Sequence, residues 1–173
     1  MKFDLVCVWP KHLDYPKWRV FLKNNRNRFL KVIIIFTNMN QPLPDKTSFV
    51  KKAMSLHDVT FDDNNELMAE DDWRNVATNK AIKYSNAEWI FFTEQDFYPK
   101  KGFWEYVHKH LLAQKTFGAV IGGRLHPCCI FIPREILDKT SKNFGIVKDV
   151  SDHFSILKKE LPEFEAIPEQ LYV

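Results

Sequence analysis

Two acids separated by one residue, Glu94 and Asp96 in Glu94-Gln95-Asp96, close the apolar run at residues 88–93 (EWIFFT). Alternate residues of a strand share a face, so the sequence predicts both carboxylates on one side of a strand exit. Carboxylates placed there suit a hard divalent cation, Mg²⁺ or Mn²⁺, which prefers oxygen ligands and can be held against a diphosphate. Such a cation neutralises charge that builds on a departing nucleotide. A Glu-x-Asp at a strand end is common by itself. The weight therefore rests on the elements around it.

Those elements alternate. Strand-like runs fall at residues 3–9 (FDLVCVW), 31–37 (KVIIIFT), 58–61 (DVTF) and 88–93, with further candidates at 117–121 and 128–132. Near-continuous apolar runs indicate strands covered on both faces, as in parallel sheets flanked by helices. Helical segments are predicted at 16–27, opened by Pro16, and at 46–55, behind Asp45 as a possible N-cap. Apolar residues recur at helical spacing over 72–85 (Trp73, Val76, Ala77, Ala81, Ile82) and over 102–114 (Phe103, Tyr106, Val107, Leu111). A helix is expected from Pro133, another near 151–160, and Leu171-Tyr172-Val173 reads as the start of a strand. The order predicts one layered α/β domain over 1–173. Ligands of open α/β sheets sit beyond the C-terminal strand ends. Here those ends carry Pro10 to Asp14, Thr37 and Asn38, Phe61 to Asp63, and Glu94 to Asp96.

The stretch 72–99 is the most informative. A helix carrying Arg74 and Asn79 leads through Ser85-Asn86-Ala87 into the strand that ends at Glu94-Gln95-Asp96. In this respect the chain resembles the large inverting family of glycosyltransferases with the GT-A fold. There a helix with an Arg-Asn-x-Gly-like segment precedes a strand ending in Asp-x-Asp. Thr78-Asn79-Lys80-Ala81 stands in the place of that segment, and Asp96 follows Asn79 by 17 residues. Ala87-Glu88-Trp89-Ile90 resembles the family's Gly-Glu-Tyr-Ile lead-in. The resemblance implies a GT-A (Rossmann-like) α/β/α domain with a mostly parallel central sheet. It implies Asp96 as metal ligand with Glu94 beside it. It also implies Pro10, Thr37, Asn38, Arg74, Asn79 and Glu94 as nucleotide-side residues. The Arg-Asn-x-Gly segment is reduced here to its Asn, and Thr37-Asn38 replaces the acid that often contacts the base. Asn can still hydrogen-bond a base edge.

Asp149 and Asp152, in Lys148-Asp-Val-Ser-Asp-His-Phe154, resemble the family's acidic segment that supplies a general base, with Asp152 ahead of Asp149. A carboxylate there can take the proton of an attacking hydroxyl. Capping of the following helix is the competing role. Arg124 and His126 follow Gly122-Gly123, which permits close backbone approach; they are candidates for diphosphate or acceptor contact, and a structural turn is the alternative. The family often uses a later His as third metal ligand. No His follows His153, so either water, His126 or His153 substitutes, or a C-terminal segment is missing from the chain. Trp9, His12 and Asp14 follow the first strand, where an aromatic can stack on a base. Arg74 can pair with phosphate, although Asp71-Asp72-Trp73-Arg74 also reads as an ordinary charged helix start.

Composition narrows the classes. Apolar residues make up 45% of 173, enough for a core. No apolar run approaches the roughly 20 residues that cross a bilayer, and Asp4 stands where a signal peptide would be free of acids. A net charge of +3 is too weak to signal nucleic acid. Cys7, Cys128 and Cys129 show no metal-ligand spacing and read as reduced core thiols of a cytoplasmic protein. The expectation is a metal-assisted transfer, Mn²⁺ or Mg²⁺ bound, of a sugar from a nucleoside diphosphate sugar to an acceptor hydroxyl. Base, sugar, acceptor and oligomeric state stay open. A nucleotidyltransferase is the alternative enzyme, but the glycine-free loop Trp9-Pro-Lys-His-Leu-Asp-Tyr-Pro16 counts against it. A nucleotide-sugar-binding module without catalysis is the other alternative.

Overall fold

The computed structural model describes residues 3–10, 16–37, 59–64, 73–94, 96–121, 124–144, 154–161 and 163–173. Strand β1 (Phe3–Pro10) leads to helix α1 (Pro16–Asn25), a 3₁₀ turn (Arg26–Arg28) and β2 (Phe29–Thr37). Then come β3 (Val59–Asn64), α2 (Trp73–Tyr84), β4 (Trp89–Thr93) and α3 (Phe103–Leu111). The chain continues through β5 (Thr116–Ile121), β6 (Arg124–Pro133), α4 (Arg134–Leu137), α5 (Ser155–Glu160), β7 (Phe164–Ala166) and a second 3₁₀ turn (Glu169–Leu171).

The strands form one seven-stranded sheet in the order β3-β2-β1-β4-β6-β5-β7. Pairing is parallel from β3 through β4, antiparallel on both sides of β6, and parallel again between β5 and β7. The α/β class with a mostly parallel sheet is therefore as expected. Every residue of β4 is buried, which explains its unbroken apolar sequence: both faces are covered. Near the start of β1 the register to β2 slips, and the buried Asp4 carboxylate accepts the Lys31 N–H at 3.0 Å there.

One face packs against α1 and α3 through aromatic rings. Phe91, Phe131 and Phe117 stand in register across β4, β6 and β5, stacked at 4.2 and 4.7 Å. Phe3 meets both Phe91 and Phe131 edge-on. Such pairs each add about 0.5–1.5 kcal/mol beyond simple burial. The other face is mostly aliphatic, with Val6, Ile33, Ile35, Ile90, Ile130 and Ile132 packed on Ala77, Ala81 and Ile82 of α2 and Leu157 of α5.

Several boundaries differ from the sequence reading. Residues 58–61 extend into β3 as far as Asn64, so Asp62 and Asp63 pair with Ile35 and Phe36 rather than lying beyond the strand. The 102–114 helix stops at Leu111, before Gln114 with its left-handed φ of 54°. The 128–132 strand begins at Arg124. Leu171 to Val173 do not start a strand. Leu171 closes a 3₁₀ turn, and Tyr172 bridges Pro99. The expected helix at 46–55 lies outside the described residues. Among the described residues no helix is long and apolar enough to cross a membrane. Cys7, Cys128 and Cys129 are buried and form no disulfide with one another.

Candidate functional site

The parallel strands all point their C-terminal ends to one edge. Pro10 is in register with Thr37, and Thr37 with Asn64, so three strand ends meet there. The order reverses between β1 and β4, the position at which open α/β sheets leave a crevice. A small cleft opens at that point. Val6 and Val8 of β1, Phe92 and Glu94 at the end of β4, Thr78 of α2 and Phe154 line it.

Beyond Thr93 the chain does not continue as a strand. Phe97 N–H donates to the Glu94 carbonyl at 3.3 Å, closing a turn that leaves Asp96 exposed and Glu94 half-buried. Strand alternation therefore does not pair the two acids; a turn does. Three contacts hold it. Glu94 N–H donates to the Cys128 carbonyl at 3.2 Å, extending the β4–β6 ladder by one bond. Phe97 is buried against Phe91, Phe103 and Tyr172. On the far side Tyr98 exchanges two 3.0 Å backbone bonds with Val173, and Lys100 N–H reaches the Leu171 carbonyl at 2.7 Å. The Cys128 thiol reports on the same place. Burial first, then the charges of Glu94 and Asp96, hold its pKa far above the ordinary thiol range.

Among the described residues no group of three or more His, Cys, Asp or Glu gathers as a preformed metal cage. Two carboxylates on an open turn do fit a hard cation that takes its remaining ligands from water and phosphate oxygens, the usual habit of Mg²⁺.

Asn79 is employed differently from the expectation. Its amide nitrogen donates to the Asn75 carbonyl and Oδ1, both at 3.0 Å, and to the Lys142 carbonyl at 2.9 Å. Asn75 Oδ1 in turn accepts the Phe144 N–H at 2.8 Å. This pair of asparagines pins α2 to the stretch before residue 145 rather than turning that amide nitrogen into the cleft. Thr78, which sequence reading passed over, lines the cleft instead. Its signal was present: Ala81 and Ile82 follow at three and four residues, which puts Thr78 on the buried helix face. Phe154 was likewise missed. Its N–H donates to the Phe144 carbonyl at 3.1 Å, and the two rings meet edge-on at 4.9 Å. The ends of residues 145–153 are thus fastened together beside Phe92. Asp149 and Asp152 belong to that stretch and lie outside the described residues, as do Asn38, His12, Asp14 and His153. Pro10, Thr37 and Arg74 are placed by backbone only, at the ends of β1 and β2 and in the first turn of α2.

Solved structures share this fold. S. aureus TarS aligns with TM-score 0.69 at 14% identity, covering 99% of this chain and 36% of that one. A mannosyltransferase from Pyrobaculum calidifontis, PcManGT, solved in complex with GDP-Man and Mn²⁺, aligns at 0.62 and 14% identity over 96% of this chain and 55% of that one. This chain has the GT-A glycosyltransferase fold. HddC from Yersinia pseudotuberculosis also aligns, at 0.61 and 13% identity, over 95% of this chain and 89% of HddC. No protein-family model matches the sequence, and no curated protein sequence is similar to it. The likeness is therefore one of GT-A fold, and the chain spans well under two thirds of TarS and PcManGT.

Proposed function

We propose that this GT-A domain transfers a sugar from a nucleoside diphosphate sugar to an acceptor hydroxyl, assisted by Mn²⁺ or Mg²⁺ and with inversion. The observation that carries the reading is the cleft at the β1/β4 reversal, flanked by the Glu94 and Asp96 turn. It is supported by a fold shared with a protein solved with GDP-Man and Mn²⁺, and with TarS solved with UDP.

Asp96 and Glu94 would hold the cation, Asp96 directly and Glu94 through ribose or a metal-bound water. The bound cation offsets charge on the departing diphosphate. Thr78 and Phe154 line the cleft. Pro10, Thr37 and Asn38 fall at strand ends where a nucleoside is cradled, and Arg74 is a phosphate partner. Asn79 acts indirectly, by fixing the near end of the 145–153 stretch. Asp152 is assigned as the base that accepts the acceptor's proton, with Asp149 second. Asp152 precedes the cleft-lining Phe154 by two residues, a reach of about 7 Å. Three buried thiols outside any disulfide fit a reducing, cytoplasmic setting.

Calorimetry tests the reading. UDP or GDP should bind roughly tenfold tighter, about 1.4 kcal/mol, with Mn²⁺ than with EDTA. Equal affinity in both conditions rejects the metal bridge. Asp152→Asn should preserve that binding and lower donor turnover roughly 10²–10⁴-fold, the usual worth of a general base. Normal turnover by Asp152→Asn with loss in Asp149→Asn would transfer the role to Asp149.

A further inference from the structure

The β5–β6 ladder is irregular where it meets the site. From Gly118↔Ile130 to Val120↔Leu125, β5 advances two residues while β6 advances five, so residues 126–129 bulge from the ladder. Bulges re-aim side chains and are frequent beside active sites. This one tolerates Pro127, which has no N–H to give a ladder, and Pro127 lines the same cleft as Glu94. Gly118 opposite it cannot carry a side chain: a Cβ would lie 2.6 Å from the Cys129 carbonyl oxygen. The bulge is also the segment that the carboxylate turn leans on, through Glu94 N–H to the Cys128 carbonyl.

His126 opens the bulge and is half-buried. Its Nδ1 lies 3.2 Å from the Cys128 backbone nitrogen and accepts that N–H. A ring nitrogen that accepts carries no proton, so the neutral ring holds its proton on Nε2. Among the described residues no acceptor takes that Nε2–H. Ligation of a cation by Nε2 would move the proton to Nδ1, where it would confront the Cys128 N–H, donor against donor.

We infer that His126 is a phosphate-contacting residue of the site and not its third metal ligand: the bulge fixes its Nδ1 on the Cys128 N–H and leaves Nε2–H to donate to an oxygen of the nucleoside diphosphate. This rests on the nucleotide-sugar reading above. The contact is independent of the cation and holds the diphosphate from the β6 side, opposite the strand ends of β1 and β2.

Asparagine separates the two ring nitrogens. His126→Asn keeps a side-chain acceptor for the N–H two residues on, the geometry of an Asx turn, and removes the Nε2 donor. By calorimetry with UDP and GDP, this variant should bind about tenfold more weakly than wild type, equally with Mn²⁺ and with EDTA, at unchanged melting temperature. Wild-type affinity would make His126 a turn residue only and overturn the assignment. A loss confined to Mn²⁺ would make it a ligand and overturn it too. Independently of any nucleotide, a long-range ¹H–¹⁵N spectrum of the ligand-free protein should show the Nε2–H tautomer for the signal missing in His126→Asn. An Nδ1–H tautomer would sink the proposal on its own. If wild type binds neither nucleotide in either condition while the spectrum shows Nε2–H, the nucleotide reading has failed, and the phosphate contact with it.

Discussion

On the α1/α3 face the sheet packs rings on rings, Phe91, Phe131 and Phe117 stacked in a row with Phe3, Phe29 and Trp104 against them. On the α2/α5 face it packs branched aliphatics against the alanines of α2. Large flat rings fix relative strand positions through many directional contacts. Alanines instead let a helix approach closely, which brings Thr78 to the strand ends. The cleft opens on the aliphatic side, where Phe144 and Phe154 fasten the ends of the 145–153 stretch. The same sheet thus separates tasks by face. Rings immobilise the platform and, through Phe97, anchor the carboxylate turn. The thinner layer leaves room for ligand and loop.

Substitutions on each face sharpen that division. The largest loss is expected for Phe131→Ala, which removes the middle ring of the stack. Unfolding in urea should show about 3–5 kcal/mol less stability, with nucleotide affinity retained by whatever remains folded. A loss below about 1 kcal/mol would mean that the ring row is not the platform. On the other face Asn79→Ala should cost about 1–3 kcal/mol, because the Lys142 carbonyl and Asn75 lose their donor. Nucleoside diphosphate affinity should stay near wild type while turnover falls. If affinity collapses without a loss of stability, Asn79 contacts the nucleotide after all. Asp96→Asn is expected to change stability least, within about 0.5 kcal/mol, since Asp96 is exposed. It should nevertheless abolish the Mn²⁺-dependent gain in affinity. Retention of that gain would place the cation elsewhere.

The strands nearest the site were legible because burial on both faces leaves an unbroken apolar run, as at Trp89-Ile-Phe-Phe. The first half of β6 was not legible. Arg124, His126 and Pro127 break the apolar pattern, and only the three-dimensional register shows Arg124 paired with Ile121 and the other two taken up by the bulge. β7 spans three residues, too few for a period to be read. Glu94 and Asp96 were picked out by their types, but they lie beyond the end of β4, where strand alternation no longer applies. A turn bond from Phe97 N–H, invisible in a two-residue period, gathers them. Asn79 shows the complementary limit. The resemblance marked it as a nucleotide-side residue, while its amide nitrogen donates both to Asn75 in its own helix and to the Lys142 carbonyl, 63 positions along the chain. No local pattern encodes such a partner.

The backbone bonds from residues 171 and 173 to residues 98 and 100 also order events in time. During synthesis the parallel strands β1 to β4 and the acidic turn leave the ribosome well before residue 171 exists, and domains are built at about 5–20 residues per second. For several seconds the turn lacks its outer brace, and Phe97 lacks Tyr172 to pack against. A nascent chain arrested before residue 164 would therefore hold most of its sheet yet present an unbraced carboxylate turn. The outer brace of that turn would be among the last contacts that this domain acquires as it is made.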